Sequence, residues 1–535
     1  MSPEVGPGLT WPPFSFRRHV MVGYIDPLAF QMERFSQNAN DRRAAQNRLT
    51  QMGRGQNRSA LRRTEMTAKA TKRGAISNEH VQSMRAGVDN DAAAVRARNS
   101  VTEVGVQKAA INHAKATSTR TSMSERLDTW PATSQGKSGR CWLFASLNML
   151  RPGVMGKMNV KEFEFSQNYA MFWEKLERSN YFLESMIELA DQPLNSRLVS
   201  FLLNDVMNDG GQWDMLAAVY QKYGVVPKEA MPETFDSSNT EEMNQRLRTL
   251  LRTGALRLRE MIAAGDSAEA VQAKKEELLN DVYRILTISL GVPPQTFDWQ
   301  WQDADGIFHR DGEITPEAFY DKYVGTDLGD YVCLVNDPRR EHPQGSTLTV
   351  EYLGDVVGGQ QILYLNVDID TMKKLATESI QKGDPVWFGC DVGQMMSRER
   401  GLMVNDLYDY SDLLGVDLST TKEERVNSGQ SMMTHAMLLV GVDLVDGKPR
   451  RWRVENSWGT DIGDKGFFTM DDDWFTEYVF EVVVKKSDLP DELRAALDTD
   501  PLVLPAWDPM GALARPGSKG SAPAGVSCSR YPCSC

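Results

Sequence analysis

The sequence predicts an α+β fold, with helices first and an antiparallel sheet late. Two observations carry this. Long segments between residues 77 and 290 space their apolar residues at helical intervals, whereas residues 385–486 break into short runs rich in Val, Phe and Trp, separated by turn residues. No internal repeat is visible.

The first helix starts in "ISNEHVQSM", where Ser77 or Asn78 can cap. A second runs on from Cys141 through "WLFASLNML" (142–150), and residues 162–191 form a densely aromatic helical stretch. Residues 239–265 open on an Asn-x-x-Glu capping pattern and carry an apolar face; a partner helix follows over 267–288. Thr315-Pro316 places a cap before a proline at the first helical position. The strands are "PVWFGCDV" (385–392), "HAMLLVGVDL" (435–444), "RWRVENSW" (451–458), "GFFTM" (466–470) and "VFEVVVKK" (479–486).

Composition excludes several classes. The 535 residues are 41% hydrophobic and 25% charged, as in ordinary globular proteins. The net charge of −13 is uneven: residues 1–73 hold 13 Lys/Arg against 5 Asp/Glu, about +8, which leaves about −21 on the rest. An acidic body argues against general binding to nucleic acid or anionic membranes. The longest apolar runs, such as "AMLLVGV" (436–442), are far below the ~18 residues of a membrane span. The start, "MSPEVGPGLTWPPFSFRRHV", has prolines where a signal peptide needs an apolar helix. Cysteines stand only at 141, 333, 390, 528, 533 and 535, which is no disulfide framework and predicts a reducing cytoplasm.

Residues 1–73 read as a basic extension without periodicity; a transit peptide, an upstream start site and an unstructured arm all fit it. Residues 515–535 are rich in Gly, Ser, Pro and Ala and read as a second extension.

The chemistry centres on Cys141 in "SQGKSGRCWLFASLN" (134–148). A nucleophilic cysteine must be a thiolate, so its ordinary pKa of about 8.5 has to be lowered by a helix N-terminus or a nearby imidazolium. Ser138-Gly139 can start a helix whose first N–H groups point at the sulfur, and Gln135 can supply a second oxyanion donor. A buried structural cysteine fits the same run. Of six histidines, only His435 opens an apolar strand directly, and a structural histidine fits there too. Asn456, 21 residues on, can accept from the imidazole, and Trp458 can shield that bond. Cys333 and Cys390 sit in apolar runs and read as core. "DADGIFHRDGE" (303–313) lacks the EF-hand order, and Cys528, Cys533 and Cys535 have no neighbouring ligands, so no metal and no organic cofactor is expected.

Gln-x5-Cys-Trp, then His-Ala, then Asn-Ser-Trp-Gly, in that order, resembles the papain-like cysteine peptidases. "FEFSQNYAMFWEKLER", "NDGGQWDM" (208–215), "MTHAMLLVGV", "RVENSWG" and "LPAWDPMGALA" (504–514) narrow the resemblance to the bleomycin hydrolase and aminopeptidase C branch, over roughly 74–514 with a helical insertion at about 239–290. The resemblance implies a papain-like fold and a set of roles. Cys141 is the nucleophile, His435 the acid/base, Asn456 its orienting residue and Gln135 the oxyanion donor. Gly210, Gly211, Trp458 and Ala514 border the substrate. It implies peptide substrates, bleomycin-like amides among them, and a homohexamer with enclosed active sites. In that branch the chain ends near Ala514 and its carboxylate meets the substrate amine; here Arg515, Pro516 and 19 further residues follow. The expected function is a cytoplasmic cysteine aminopeptidase. The alternative is a nucleic-acid-binding protein that uses residues 1–73 as its arm.

Overall fold

The computed structural model describes residues 74–512. The basic head, the C-terminal extension with its cysteines, and Ala514 lie outside the described residues. The chain divides into two units, one ending at Ala92 and one beginning at Ala93. In the first, helix α1 (Asn78–Asp89) is capped as expected: Ser77 Oγ accepts from His80 N–H at 3.1 Å.

The second unit holds the rest. Helix α2 (Cys141–Met158) is mainly apolar and buried over most of its length, and its few polar residues, such as Asn148 and Arg151 bonded to Glu455, form no solvent-facing side. Beside it lies α3 (Gln167–Glu188), the aromatic stretch, shorter than 162–191 because Ser166 caps it. Helix α4 (Trp213–Tyr223) packs on both α2 and α3. The expected insertion is a helical pair, α5 (Glu241–Ala264) and α6 (Ala268–Leu290), laid on α3 through Leu247, Leu251, Leu258, Leu278 and Val282. The Asn-x-x-Glu cap does not form. Thr240 stands at the cap position and turns its hydroxyl to Asp209 instead. Thr315 caps before Pro316 as expected.

The strands, in chain order, are β1 (Glu125–Arg126), β2 (Phe297–Gln302), β3 (Phe308–Ile314), β4 (Tyr331–Val335), β5 (Thr347–Val350), β6 (Tyr364–Asn366), β7 (Val386–Cys390), β8 (Met396–Ser397), β9 (Leu402–Met403), β10 (His435–Val445), β11 (Lys448–Glu455), β12 (Phe467–Asp471), β13 (Val479–Lys485) and β14 (Leu502–Leu504). All but the β2–β3 hairpin join one sheet, ordered β14-β5-β6-β4-β13-β7-β10-β11-β12-β9-β8, with β1 on β10. Its centre, β4-β13-β7-β10-β11-β12, is antiparallel as expected. Its flanks depart from that: β14 with β5, β4 with β6, and β12 with β9 run parallel. The strands that create these pairs, three-residue β14 and β6 and two-residue β9, are too short to leave a periodic trace in sequence.

Strand β11 ends at Glu455, so Asn456–Trp458 leave the ladder for the loop that reaches the site. Cys333 and Cys390 are fully buried strand residues, as expected. The apolar side of the sheet and the helices above it form one core; a second lies under α7 (Ile369–Gln381), where Phe388, Leu439, Trp452 and Phe468 meet. The start of α2 and the start of β10 face each other between them, and there the expected site residues gather.

Candidate active site

The segment before α2 is a ladder fragment. Ser134 bridges to Trp458, Gln135 N–H donates to Ser457 C=O at 2.8 Å, and Gly459 N–H donates to Thr133 C=O at 2.9 Å. This brings Gln135 beside Asn456. The chain then turns at Gly136, whose φ of 61° and 2.7 Å clearance to Ser238 O for an added Cβ exclude a side chain. Arg140, fully buried, clamps the turn by a two-pronged bond to Glu233 at 2.9 and 2.8 Å.

Cys141 is then the first residue of α2, 1% exposed. Its Sγ receives the Ala436 N–H at 3.4 Å, so the sulfur lies against the start of β10. His435, the residue before, presents Nε2 to Asn456 Oδ1 at 2.9 Å. Asn456 Oδ1 also accepts from Ser457 N–H at 2.7 Å, which fixes the amide with its oxygen toward the imidazole. Trp458 covers the histidine, its ring centroid 5.0 Å away. Gln135 Oε1 accepts from Ser457 Oγ at 2.5 Å and its Nε2 donates to Ser138 C=O, which uses one of the two amide hydrogens.

Burial dominates both titrating groups. It pushes the Cys141 thiol up to about 12, against the pull of the Ala436, Trp142 and Cys141 backbone N–H groups. It pushes His435 down to about 4, with Asn456 opposing and the Arg398 cation adding to the drop. The two groups rest as thiol and neutral imidazole while the site is dry. Each charged form is favourable only when the other is charged too, so the proton passes between them as one unit.

A narrow cleft is lined by Cys141, Trp142, Gly211, Gln212, Trp387, Gly389, Met433, His435, Ala436 and Ala512. A larger cavity, lined in part by Phe163, Trp299 and Trp301, contains none of the expected residues. Ala512 belongs to the C-terminal arm, and its carbonyl accepts from Gln212 Nε2 at 3.2 Å. The arm is anchored by β14 on β5, by a buried bidentate bond from Arg339 to Asp508 at 2.9 and 2.7 Å, and by Tyr364 Oη to Met510 C=O at 3.3 Å.

Of the residues expected to border substrate, Gly211 lines the cleft but Gly210 does not; its carbonyl accepts from Arg178 at 2.5 Å. A Cβ on Gly211 would stand 2.4 Å from the Trp142 ring, so it is the indole, held by Asp209 C=O at 2.6 Å, that requires glycine there. Trp458 packs on His435 and outside the cleft lining.

Sequence reasoning missed Asp209. It is buried and accepts from Gly139 N–H at 2.9 Å, Lys175 Nζ at 2.8 Å, Asn244 Nδ2 at 2.7 Å and Thr240 Oγ1. Burial raises this carboxyl, yet Lys175 and the hydrogen bonds outweigh it and hold the group well below the usual carboxylate range. The signal was Lys175 itself, a lysine amid the aromatic face of "NYAMFWEKLER", which cannot be buried without an anion. Arg398, whose guanidinium stacks 4.0 Å from the Trp458 ring centroid, was missed as well.

Residues 75–511 match the model of the Peptidase C1-like family. Aminopeptidase C of Lactobacillus delbrueckii subsp. lactis is 44% identical over 421 residues, 78% of this chain and 94% of the relative. Bleomycin hydrolase of Homo sapiens is 45% identical over 392 residues, 72% and 86% of the two chains. The solved structure of PepW from Lactobacillus rhamnosis superposes with a TM-score of 0.81 at 45% identity, covering 82% of this chain and all of that one, 100%. With a cysteine at a helix start, a histidine held by an asparagine, and this coverage, the chain belongs to the Peptidase C1-like family, among the aminopeptidases C and bleomycin hydrolases.

Proposed function

We propose that the protein is a cysteine aminopeptidase of bleomycin hydrolase type, removing N-terminal residues from peptides and hydrolysing amides of bleomycin-like compounds. The observation that carries the exopeptidase reading is Ala512, which lines the same cleft as Cys141 and His435. An arm lying there leaves no path for a chain running through the acyl side.

In this reading Cys141 gives its proton to His435 and attacks the scissile carbonyl. The oxyanion is met by the Cys141 backbone N–H, strengthened by the positive end of the 18-residue helix α2, and by the remaining amide hydrogen of Gln135. Nε2 of His435 is committed to Asn456, so Nδ1 carries the proton to the leaving amine. The amine departs, and the imidazole takes a proton from water, whose oxygen attacks the thioester. That releases the carboxylate product and the thiol. A hexameric assembly and a cytoplasmic location belong to the same proposal, carried by the family resemblance.

The test is hydrolysis of aminoacyl fluorogenic amides by the purified chain and by C141A. The folded variant, with an unchanged melting temperature, is expected to lose all turnover. An active C141A enzyme would end the assignment.

A further inference from the structure

Cys141 and His435 divide the site into two sides. The acyl side is the cleft, marked by Gln212, Met433 and Ala512. The leaving group must depart past His435, the group that protonates it, and so toward the residues packed on that histidine outside the cleft. Trp458 is the first of these, its ring centroid 5.0 Å from the imidazole. Arg398 is the second, its guanidinium 4.0 Å from the centre of the same indole.

The position of Arg398 is built into the backbone. It occupies the turn of the β8–β9 hairpin, and its carbonyl accepts from Gly401 N–H at 3.3 Å and Gly463 N–H at 3.2 Å. Gly401 and Gly463 both have positive φ, 64° and 60°, and a Cβ on Gly401 would stand 2.7 Å from the Gly463 Cα. Two glycines therefore lock this turn against the loop that follows Trp458. Burial lowers the Arg398 pKa, and the guanidinium is a partly desolvated cation against the indole that covers His435. The steps from imidazole to indole and from indole to guanidinium, 5.0 and 4.0 Å, are together comparable to an extended residue of about 3.5 Å, the reach of its carboxylate, and an ion pair of up to about 4 Å. A carboxylate on the first residue of the leaving peptide can thus reach the guanidinium.

We propose that Arg398 is a specificity-determining residue on the leaving-group side, selecting substrates whose first departing residue carries a carboxylate. Two sources offer that group: an Asp or Glu side chain at the second position of a peptide, and the C-terminal carboxylate of a dipeptide. The inference rests on the peptidase reading above.

The experiment measures kcat/KM of the full chain, R398Q, R398K and R398E on four substrates: Ala-Ala, Ala-Ala-amide, Ala-Asp-amide and Ala-Asn-amide. A half-buried pair is worth about fivefold, so the full chain should prefer Ala-Ala over its amide, and Ala-Asp-amide over Ala-Asn-amide, by about that factor. The two ratios distinguish the carboxylate sources. In R398Q the preference should vanish, in R398K it should persist in weakened form, and in R398E it should reverse. Each ratio is taken within one variant, so a general loss of activity cancels. Turnover of all four substrates without preference by the full chain, or a preference unchanged in R398Q, overturns the inference alone. No turnover of any substrate by the full chain overturns the peptidase reading and the inference with it.

Discussion

Replacing Asp209 by Asn tests whether the buried network behind Cys141 holds the site. The substitution keeps the volume but removes the charge, leaving the fully buried Lys175 ammonium without its anion at 2.8 Å. It also sets an amide hydrogen against donors, because Gly139 N–H, Thr240 Oγ1, Lys175 and Asn244 Nδ2 all give to this carboxylate. Breaking a buried ion pair from one side costs about 3–5 kcal/mol. At about 2–4 °C per kcal/mol for units of 150–250 residues, and less for a larger one, Tm should fall on the order of 5–10 °C. The double variant Asp209→Asn, Lys175→Met should regain part of the loss, since no buried charge then remains. The pH dependence has a definite sign. The folded-state pKa of Asp209 is depressed, so its contribution is present above the unfolded carboxylate value of about 3.9 and fades as pH falls below it. Melting curves of wild type and variant, by differential scanning fluorimetry from pH 7 to pH 3, should therefore stay a constant interval apart down to about pH 4 and begin to converge only below it. Turnover should fall too, because Asp209 holds the N–H of Gly139, two residues before Cys141. A variant that melts within a degree of wild type across the whole range would refute this account.

Asn456→Ala should lower kcat less than His435→Ala, since the amide orients the imidazole whereas the imidazole moves the protons, a role worth about 10²–10⁴-fold; equal or reversed losses in folded proteins would contradict the assigned roles. A chain ending at Ala514 should cleave N-terminal residues faster than the 535-residue chain verified intact by mass. By the family resemblance the shortened chain would bring its terminal carboxylate to the substrate amine, worth about 4 kcal/mol at 4 Å and an effective dielectric of 20, and equal rates would remove the arm from the specificity argument.

What was legible in the sequence followed from local rules. Cys141, His435 and Asn456 were readable because each sits beside a boundary that sequence reports: a helix start, a strand start, and the polar end of an apolar strand. The α5–α6 pair was readable from its amphipathic spacing. The β2–β3 hairpin was not, because its strand "FHRDGEI" buries no residue fully and is mostly polar, so it lacks the alternation of apolar and polar residues that a core-facing strand shows. For Gly211 the sequence reached the cleft wall but not the packing behind it. Sequence shows that a glycine fits but not which neighbour approaches, and the neighbour is Trp142, 69 positions away in α2. Asp209 and Arg398 were missed because their partners, Lys175 and Trp458, are not sequence neighbours, and a charged residue in isolation reads as surface.

The two sides of the site now impose different demands on a substrate. On the acyl side Ala512 is held from three directions: by Gln212, by the Tyr364–Met510 bond, and by the Arg339–Asp508 pair behind it. Moving the arm aside breaks a buried charge pair, which costs more than a surface contact can return. The acyl side is therefore short by construction, and the residue bound there must be the first of its chain. The same arm helps keep Cys141 and His435 dry, and dryness holds both neutral. A substrate carbonyl at the sulfur brings a polar group into this dry cleft and so favours transfer of the proton from Cys141 to His435 over the neutral pair. Closing the acyl side and keeping the thiol protonated are in that sense one function of the arm: whatever displaces Ala512 both lengthens the acyl side and wets the pair.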